Sequence, residues 1–320
     1  MAALAAMRAD ASPLTEKHPA QVFRPLSEML SGWEADGIDT ASFRAGVETA
    51  SRRYAAYGLA HMLPLDRVLV GCESSRVGAF GGFHHPDQGY RHLQMVAVIT
   101  MYGPMERRNP ERPALALLDL LRAYAHDCLH YGSRRRYVEV AGRPVRTQYG
   151  INFRRTGGQS YSATDQRGSH HTRNLGIVME GACDAEARSI SRQTAARFGF
   201  TEPLDSLGTL TYRDMTGTLT KGDTERAAGL SGSDEQTRYA AALGGYETGV
   251  NRPYARFLEE FAPGEEDACH TRLLGAIISG DVGTLGAWLD DRHGPGTVSG
   301  LFRTSRYFEP SGAVPGPGGG

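Results

Sequence analysis

The chain has 320 residues, of which 40% are hydrophobic and 22% charged, and its net charge at pH 7 is -1. This composition is typical of a globular protein with one large domain or two small ones. Because the charges are balanced and no apolar run approaches the roughly 18 residues of a membrane helix, we expect neither a nucleic acid nor a membrane as a partner.

The cysteines indicate a reducing environment. They are far apart in sequence and form no C-x-x-C pair, as the positions show: Cys72, Cys128, Cys183 and Cys269. Isolated cysteines beside apolar residues are typical of small buried side chains and not of a disulfide framework. We therefore expect a cytoplasmic protein with free thiols.

Composition along the chain predicts one folded domain between two loose ends. Residues 1–25 are expected to be flexible, and the Gly- and Pro-rich residues 310–320 are expected to be disordered because they contain too few apolar side chains to form a core. Between them we predict a single α+β domain over residues 26–295. Its first part, 26–165, mixes strands and helices, and its second part, 166–295, is a helical lobe.

The first predicted elements alternate between helix and strand. Apolar residues recur at helical spacing from Phe43 to Tyr57 and predict an amphipathic helix. The short β-branched segments 66–75 and 92–103 predict strands, and the Gly- and Pro-containing residues 78–90 between them predict a loop. A second helix is predicted from Pro113 to Gly132.

The later elements follow from the same patterns. Alternating residues around a turn at 142–144 predict a β-hairpin, and a leucine- and methionine-bearing stripe predicts a helix from about residue 172. Gly, Thr and Asp clusters over 202–234 predict loop. We expect the chain to return to helix at 235–260, 265–279 and 282–291.

The helix predicted from Pro113 carries two histidines, His126 and His130, four residues apart. Because a helix turns about 100° per residue, both side chains lie on one face, one turn apart. Two imidazoles at that spacing can bind one zinc ion at about 2.0–2.1 Å each, and a catalytic zinc takes a third protein ligand and leaves one position open. The spacing therefore predicts part of a zinc site.

The helix predicted after residue 172 offers the missing groups. Glu180 and Asp184 are also four residues apart and share one face. Glu180 lies in an apolar run, where a carboxylate has to be paired, exposed in a cleft or bound to a metal. We predict that Glu180 is the third zinc ligand, and that Asp184 binds the free nitrogen of a ligand histidine and fixes its orientation.

This arrangement resembles a known family. An H-x-x-x-H helix, a hairpin and an E-x-x-x-D helix containing Met-Glu-Gly are similar to the gluzincin branch of the zinc metallopeptidases, and the segment 272–296 is similar to the helical region that follows the motif. The resemblance covers about residues 113–295. It implies a zincin-like α+β fold, in which a small sheet or hairpin packs on the active-site helix. It also implies Zn2+ held by His126, His130 and Glu180, with Asp184 behind them.

The chain departs from the family pattern at Asp127, which stands where the family has the glutamate that activates water, giving HDxxH in place of HExxH. Aspartate is one methylene shorter, a loss of reach of about 1.5 Å. We take Asp127 as the candidate general base of a hydrolase that acts on an amide or peptide-like bond in a small-molecule or peptide substrate. A non-peptidase metal enzyme or an inactive binding relative of the zincin fold stays open as an alternative.

A second alternative uses the same stretch. His126 and Asp127 resemble the doublet of HD-type metal-dependent phosphohydrolases, in which both residues bind metal. In this interpretation His92 and Asp184 are the partners that remain. The upstream segment predicts a strand, whereas the HD fold is helical throughout, so we favour the zinc site.

Two further groups of polar residues have no assigned role. The predicted hairpin is rich in arginine from Arg134 to Arg155, and we interpret these side chains as a solvated surface. The alternative is that they bind an anionic substrate, a peptide carboxylate or RNA phosphates. The adjacent histidine pairs His84–His85 and His170–His171 are predicted to lie in surface loops, with transition-state donors or an alternative third ligand as the other interpretation.

Overall fold

The structure is a computed structural model that describes residues 23–71, 81–85, 90–94, 109–162, 164–165, 169, 171–229 and 235–304. Most of the predicted flexible N-terminus and all of the predicted tail at 310–320 lie outside these ranges. The same holds for most of the strand predicted at 92–103 and for the end of the one predicted at 66–75. None of the described helices is both long and apolar enough to cross a membrane.

The described strands are short. They are β1 (Phe23–Pro25), β2 (Val68–Gly71), β3 (Gly81–His85), β4 (Tyr90–Gln94), β5 (Arg135–Val140), β6 (Arg143–Tyr149) and β7 (Asn152–Phe153). One sheet has the order β1-β2-β4-β3, with β2 and β4 parallel and the other pairs antiparallel. The other sheet is antiparallel, with the order β5-β6-β7.

Helices make up most of the described residues. The first four are α1 (Leu26–Ala35), α2 (Ala41–Ala56), α3 (Pro113–Gly132) and α4 (Leu175–Phe198). They are followed by α5 (Ser206–Thr216), α6 (Lys221–Gly229), α7 (Glu235–Tyr246), α8 (Arg252–Phe261), α9 (Glu266–Ser279), α10 (Gly283–His293) and α11 (Thr297–Arg303). A π-helical turn, Glu247–Asn251, joins α7 to α8. The α+β class is thereby confirmed, while the zincin-like arrangement stays a prediction.

Contacts divide the described residues into two compact units. The first contains the residues up to Ala55, Ala60–Gly132 and Asp184–Glu247, and the second contains Ala56–Leu59, Ser133–Cys183 and the residues from Thr248. Helix α4 is continuous across the boundary after Cys183. The prediction of one domain over 26–295 stays a prediction.

Helix α3 is the centre of the first unit, because apolar residues surround most of its circumference and are buried. Gly46 on α2 brings that helix close, since a Cβ at this position would meet Leu121 at 2.2 Å. The hydroxyl of Tyr54 donates to the carbonyl of Ala125 at 3.0 Å. These contacts fix the rotation of α3 about its axis, and so the direction in which its histidines point.

In the second unit the small sheet is attached to α4 and α9. Gly150, with φ +55°, follows β6 and lies against Met179, which a Cβ at Gly150 would meet at 2.7 Å. The backbone N–H of Arg134 donates to the carbonyl of Ile277 at 3.0 Å. The base of the hairpin is therefore held beside the residue that precedes Glu180.

The structure changes two predicted turns or loops. The hairpin turn lies at Ala141–Gly142 and not at 142–144, and both residues have positive φ, as a two-residue turn that matches strand twist requires. The loop predicted over 78–90 contains strand β3, on which His84 and His85 lie.

The loop predicted over 202–234 was wrong for most of its length, because α5 and α6 occupy it. Each helix has a polar N-terminal cap that outweighs its Gly and Thr content. Asp205 accepts from the N–H of Gly208 at 2.7 Å. Thr220 and Asp223 exchange side-chain to backbone hydrogen bonds, as in a capping box.

Candidate metal centre

The two histidines predicted to bind zinc are adjacent on α3. The rings of His126 and His130 have centroids 4.6 Å apart and planes inclined at 54°. His130 is buried, and the side chain of His126 is 12% exposed. The predicted shared helix face is therefore present, and only a small part of it reaches solvent.

Glu180 joins these histidines from α4. One ligand atom from each of His126, His130 and Glu180 lies within 4.8 Å of the other two, and within the described residues no further group of this kind occurs. Ligand atoms around a tetrahedral zinc ion are about 3.4 Å apart, from bond lengths near 2.1 Å. Side-chain rotations that move these atoms by about 1 Å close the difference, so the donor set is suited to one zinc ion.

Asp184 lies one helical turn after Glu180 and is fully buried. Its Oδ1 is 3.5 Å from Nδ1 of His126. If Asp184 binds Nδ1 of His126, Nε2 is the ring nitrogen that a metal would take. The predicted role of Asp184 in orienting a ligand histidine is thus compatible with where the structure places it.

Two arginines form ion pairs with the Asp184 carboxylate. Arg122 Nη2 is 2.6 Å from Oδ1, and Arg188 Nε is 2.9 Å from Oδ2. Burial alone raises the pKa of Asp184, but the two guanidinium groups outweigh it and hold that pKa well below its usual range. Asp184 is therefore an anion at every pH at which the protein is expected to work.

The arginines belong to a larger buried charge network. Arg188 also pairs with Asp214 on α5 and, at 2.8 Å, with Glu247 in the π-helical turn. Asp119 on α3 lies close enough to be affected: burial and the charge of Asp214 raise its pKa to about 6, in spite of the opposing charge of Arg122. The network connects Asp184 to two other segments of the first unit, α5 and the π-helical turn.

The side chains on the two helices form two matching stripes. Each stripe has a spacing of four residues: Arg122, His126 and His130 on α3, and Glu180, Asp184 and Arg188 on α4. Arg122 contacts Asp184, whereas His130 is grouped with Glu180, so the stripes run in opposite directions. Sequence reasoning missed the arginines, although their spacing from His126 and Asp184 was the same signal that identified the other four residues.

Asp127 is 2% exposed, and it is not part of the group of ligand atoms. It follows His126 directly on α3. Its role as general base stays a prediction.

The other histidines named from the sequence lie on different segments. His171 is exposed, as predicted for a surface loop, and its Nδ1 lies 3.7 Å from Oε2 of Glu260. His170 lies outside the described residues. His92 is on strand β4.

Comparison of the chain with protein-family models, with curated proteins and with solved structures found no match. The interpretation of the site therefore depends on its own geometry and chemistry.

Proposed function

We propose that this chain is a zinc-dependent metalloenzyme, a hydrolase that acts on an amide or peptide-like bond of a small-molecule or peptide substrate in the cytoplasm. One observation carries the proposal: the two histidines and the glutamate named from helical spacing have ligand atoms within 4.8 Å of one another. The zincin-like fold and the gluzincin resemblance belong to the same proposal.

Each residue has a distinct task in this proposal. His126, His130 and Glu180 hold the metal, which when bound supplies a Lewis acid for a substrate carbonyl and for water. Asp184 keeps Nδ1 of His126 protonated and its ring in place. Arg122 and Arg188 fix Asp184 in turn by the ion pairs at 2.6 and 2.9 Å.

Asp127 accepts the proton of the attacking water and transfers it to the leaving group. The shorter side chain loses about 1.5 Å of reach relative to glutamate, and an inserted water molecule or a small shift of α3 restores contact. If Asp127 does not act as a base, the chain is the inactive binding relative or the non-peptidase metal enzyme.

The phosphohydrolase alternative has less support from the site. It needs Asp127 and Asp184 as metal ligands together with His92. Asp184 instead lies between two guanidinium groups, and Asp127 is absent from the ligand group. The zinc hydrolase is for this reason the function that we propose.

Metal content tests the proposal directly. Elemental analysis of the purified protein is expected to give about one zinc ion per chain. Zinc should be lost in His126→Ala and in Glu180→Ala, and kept in the exposed control variants His61→Ala and Glu259→Ala. Protein that holds no zinc after mild purification and reconstitution would overturn the proposal. Two metal ions per chain together with phosphatase activity would favour the HD alternative. Bound zinc without turnover of peptides or esters would favour the inactive relative.

A further inference from the structure

In the hairpin formed by β5, β6 and their turn, residues Arg135–Tyr149, eight of the fifteen residues are exposed. Gln148 is the single buried residue in it, and its side chain donates to the carbonyls of Gly150 and Gly280 at the base of the hairpin. We call this segment the basic ribbon.

The basic ribbon and the residues next to it are strongly cationic. Residues 133–162 contain seven arginines and one acidic residue, Glu139, in a chain whose net charge is -1. We expected no nucleic acid as a partner because the net charge of the whole chain is balanced. The net charge does not reveal this local excess of positive charge. An exposed cluster of one sign raises the local concentration of molecules of the opposite charge.

Three of these arginines are not neutralised by ion pairs with the described part of the protein. Arg136 and Arg143 are exposed, Arg146 is half-buried, and none of the three forms an ion pair with a described residue. Several other described arginines are paired, for example Arg112 with Asp205 at 2.8 Å. The unpaired charges repel one another, so an anion bound along the ribbon relieves this repulsion.

Strand register places cations on both faces of the ribbon. Arg135 is opposite Tyr149, and Tyr137 is opposite Arg146 on the same face. Arg136 and Arg143 lie on the other face, by the alternation of side chains along each strand. A polyanion that wraps around the ribbon therefore contacts arginines on both faces. The same is true of a groove into which the ribbon inserts.

One tyrosine, Tyr149, orients two of the arginines. The guanidinium carbons of Arg135 and Arg146 lie 5.3 and 5.0 Å from the ring centroid of Tyr149. Stacked guanidinium groups lose less freedom when they bind, and their planar N–H forks match the oxygens of a phosphate. Tyr137 is 40% exposed and offers a ring beside Arg146 on which a base can stack.

We propose that the basic ribbon is a nucleic-acid-binding arm, whose arginines contact the phosphodiester backbone and whose exposed Tyr137 contacts bases. Arginine forks, stacked tyrosines and a two-stranded ribbon of the width that a major groove admits favour nucleic acid over an acidic polypeptide, which has no bases to stack. The proposal is independent of the metal centre and of the proposed hydrolase.

Fluorescence anisotropy of the full chain with a short labelled DNA duplex, and with single-stranded RNA of the same length, tests the proposal at several salt concentrations. Binding is expected to weaken linearly in log affinity against log salt. For duplex DNA the magnitude of this negative slope decreases by about 0.9 for each phosphate contact that is removed. Arg136→Gln and Arg143→Gln should each lower the slope by that amount, and the double variant should bind about tenfold more weakly at low salt.

The exposed Arg256 on α8 provides a matched control, and Arg256→Gln should leave affinity and slope unchanged. A stronger signal with the duplex would indicate groove binding, and one with RNA would indicate a single-strand arm; both support the proposal. Absence of binding at low salt would overturn it. So would equal losses in Arg256→Gln, or displacement of the oligonucleotide by polyglutamate or anionic vesicles at equal charge.

Discussion

At the scale of single residues, the proposed hydrolysis depends on Asp127 as the general base. It is 2% exposed and follows a candidate ligand directly on α3. Replacement by asparagine keeps the size of the side chain and removes its ability to accept a proton. We expect Asp127→Asn to retain zinc and to lose about 10²–10⁴-fold in turnover, the usual contribution of a general base. Zinc analysis and steady-state kinetics on the same preparation measure both.

Two comparisons make this test specific. The exposed Asp291→Asn should keep full turnover, and Asp127→Glu, which restores the longer reach, should keep or raise it. Equal turnover in Asp127→Asn and the unchanged protein would show that this carboxylate is not the base.

The residues of the candidate site differ in how far the sequence could identify them. His126, His130, Glu180 and Asp184 were identifiable because each pair has the spacing of one helical turn, which is a local property. Asp214 and Glu247 were not, since their contact with Arg188 joins segments that are 26 and 59 residues away in sequence. No periodicity within one element contains that information.

At the scale of elements, Gly181 controls how closely α8 approaches α4 beside the candidate ligand Glu180. A Cβ at Gly181 would meet Cβ of Tyr254 at 2.3 Å, too short for any rotamer to relieve. We expect Gly181→Ala to lower the free energy of unfolding by about 1–3 kcal/mol, the usual cost of overpacking. Zinc affinity should fall as well, because the displaced backbone carries Glu180. Chemical denaturation of the metal-free protein and chelator competition measure the two effects.

Gly275 on α9 is the matched control, because its Cβ position has open space within 4 Å. Gly275→Ala should therefore raise the free energy of unfolding by about 0.5–1 kcal/mol, as alanine does in a helix interior. Similar effects of the two substitutions would mean that the contact with Tyr254 does not set the position of α4.

Elements with a strong apolar period were predicted well from sequence. Helices α2 and α3 and the hairpin lie where the spacing of their apolar or alternating residues placed them. Helices α5 and α6 were missed because their Gly and Thr content is typical of loops, while the signals that start them are single capping residues, Asp205 and Thr220. Composition averaged over a window conceals such signals.

At the scale of the whole molecule, the buried charges make stability depend on pH in two opposite ways. The pKa of Asp184 is lowered, so the stability from its ion pairs is present above the ordinary pKa of an aspartate and is lost as pH falls through the lowered value. The pKa of Asp119 is raised to about 6, so its burial costs nothing while it is protonated and lowers stability as pH rises through 6. We expect maximal stability on the acidic side of neutrality.

Asp119→Asn separates the second effect from the first. Asparagine cannot ionise, so the variant should avoid the cost of a half-buried charge next to Asp214. Its free energy of unfolding should exceed that of the unchanged protein by about 1–3 kcal/mol near pH 8, from a rise in pKa from 3.8 to about 6. Because both proteins are uncharged at this position near pH 4, the difference should disappear there. Urea denaturation at both pH values measures it, with the exposed Asp291→Asn expected to change neither. An advantage for Asp119→Asn that persists unchanged at pH 4 would show that it arises from packing, and that the charge of Asp119 is not what limits stability at high pH.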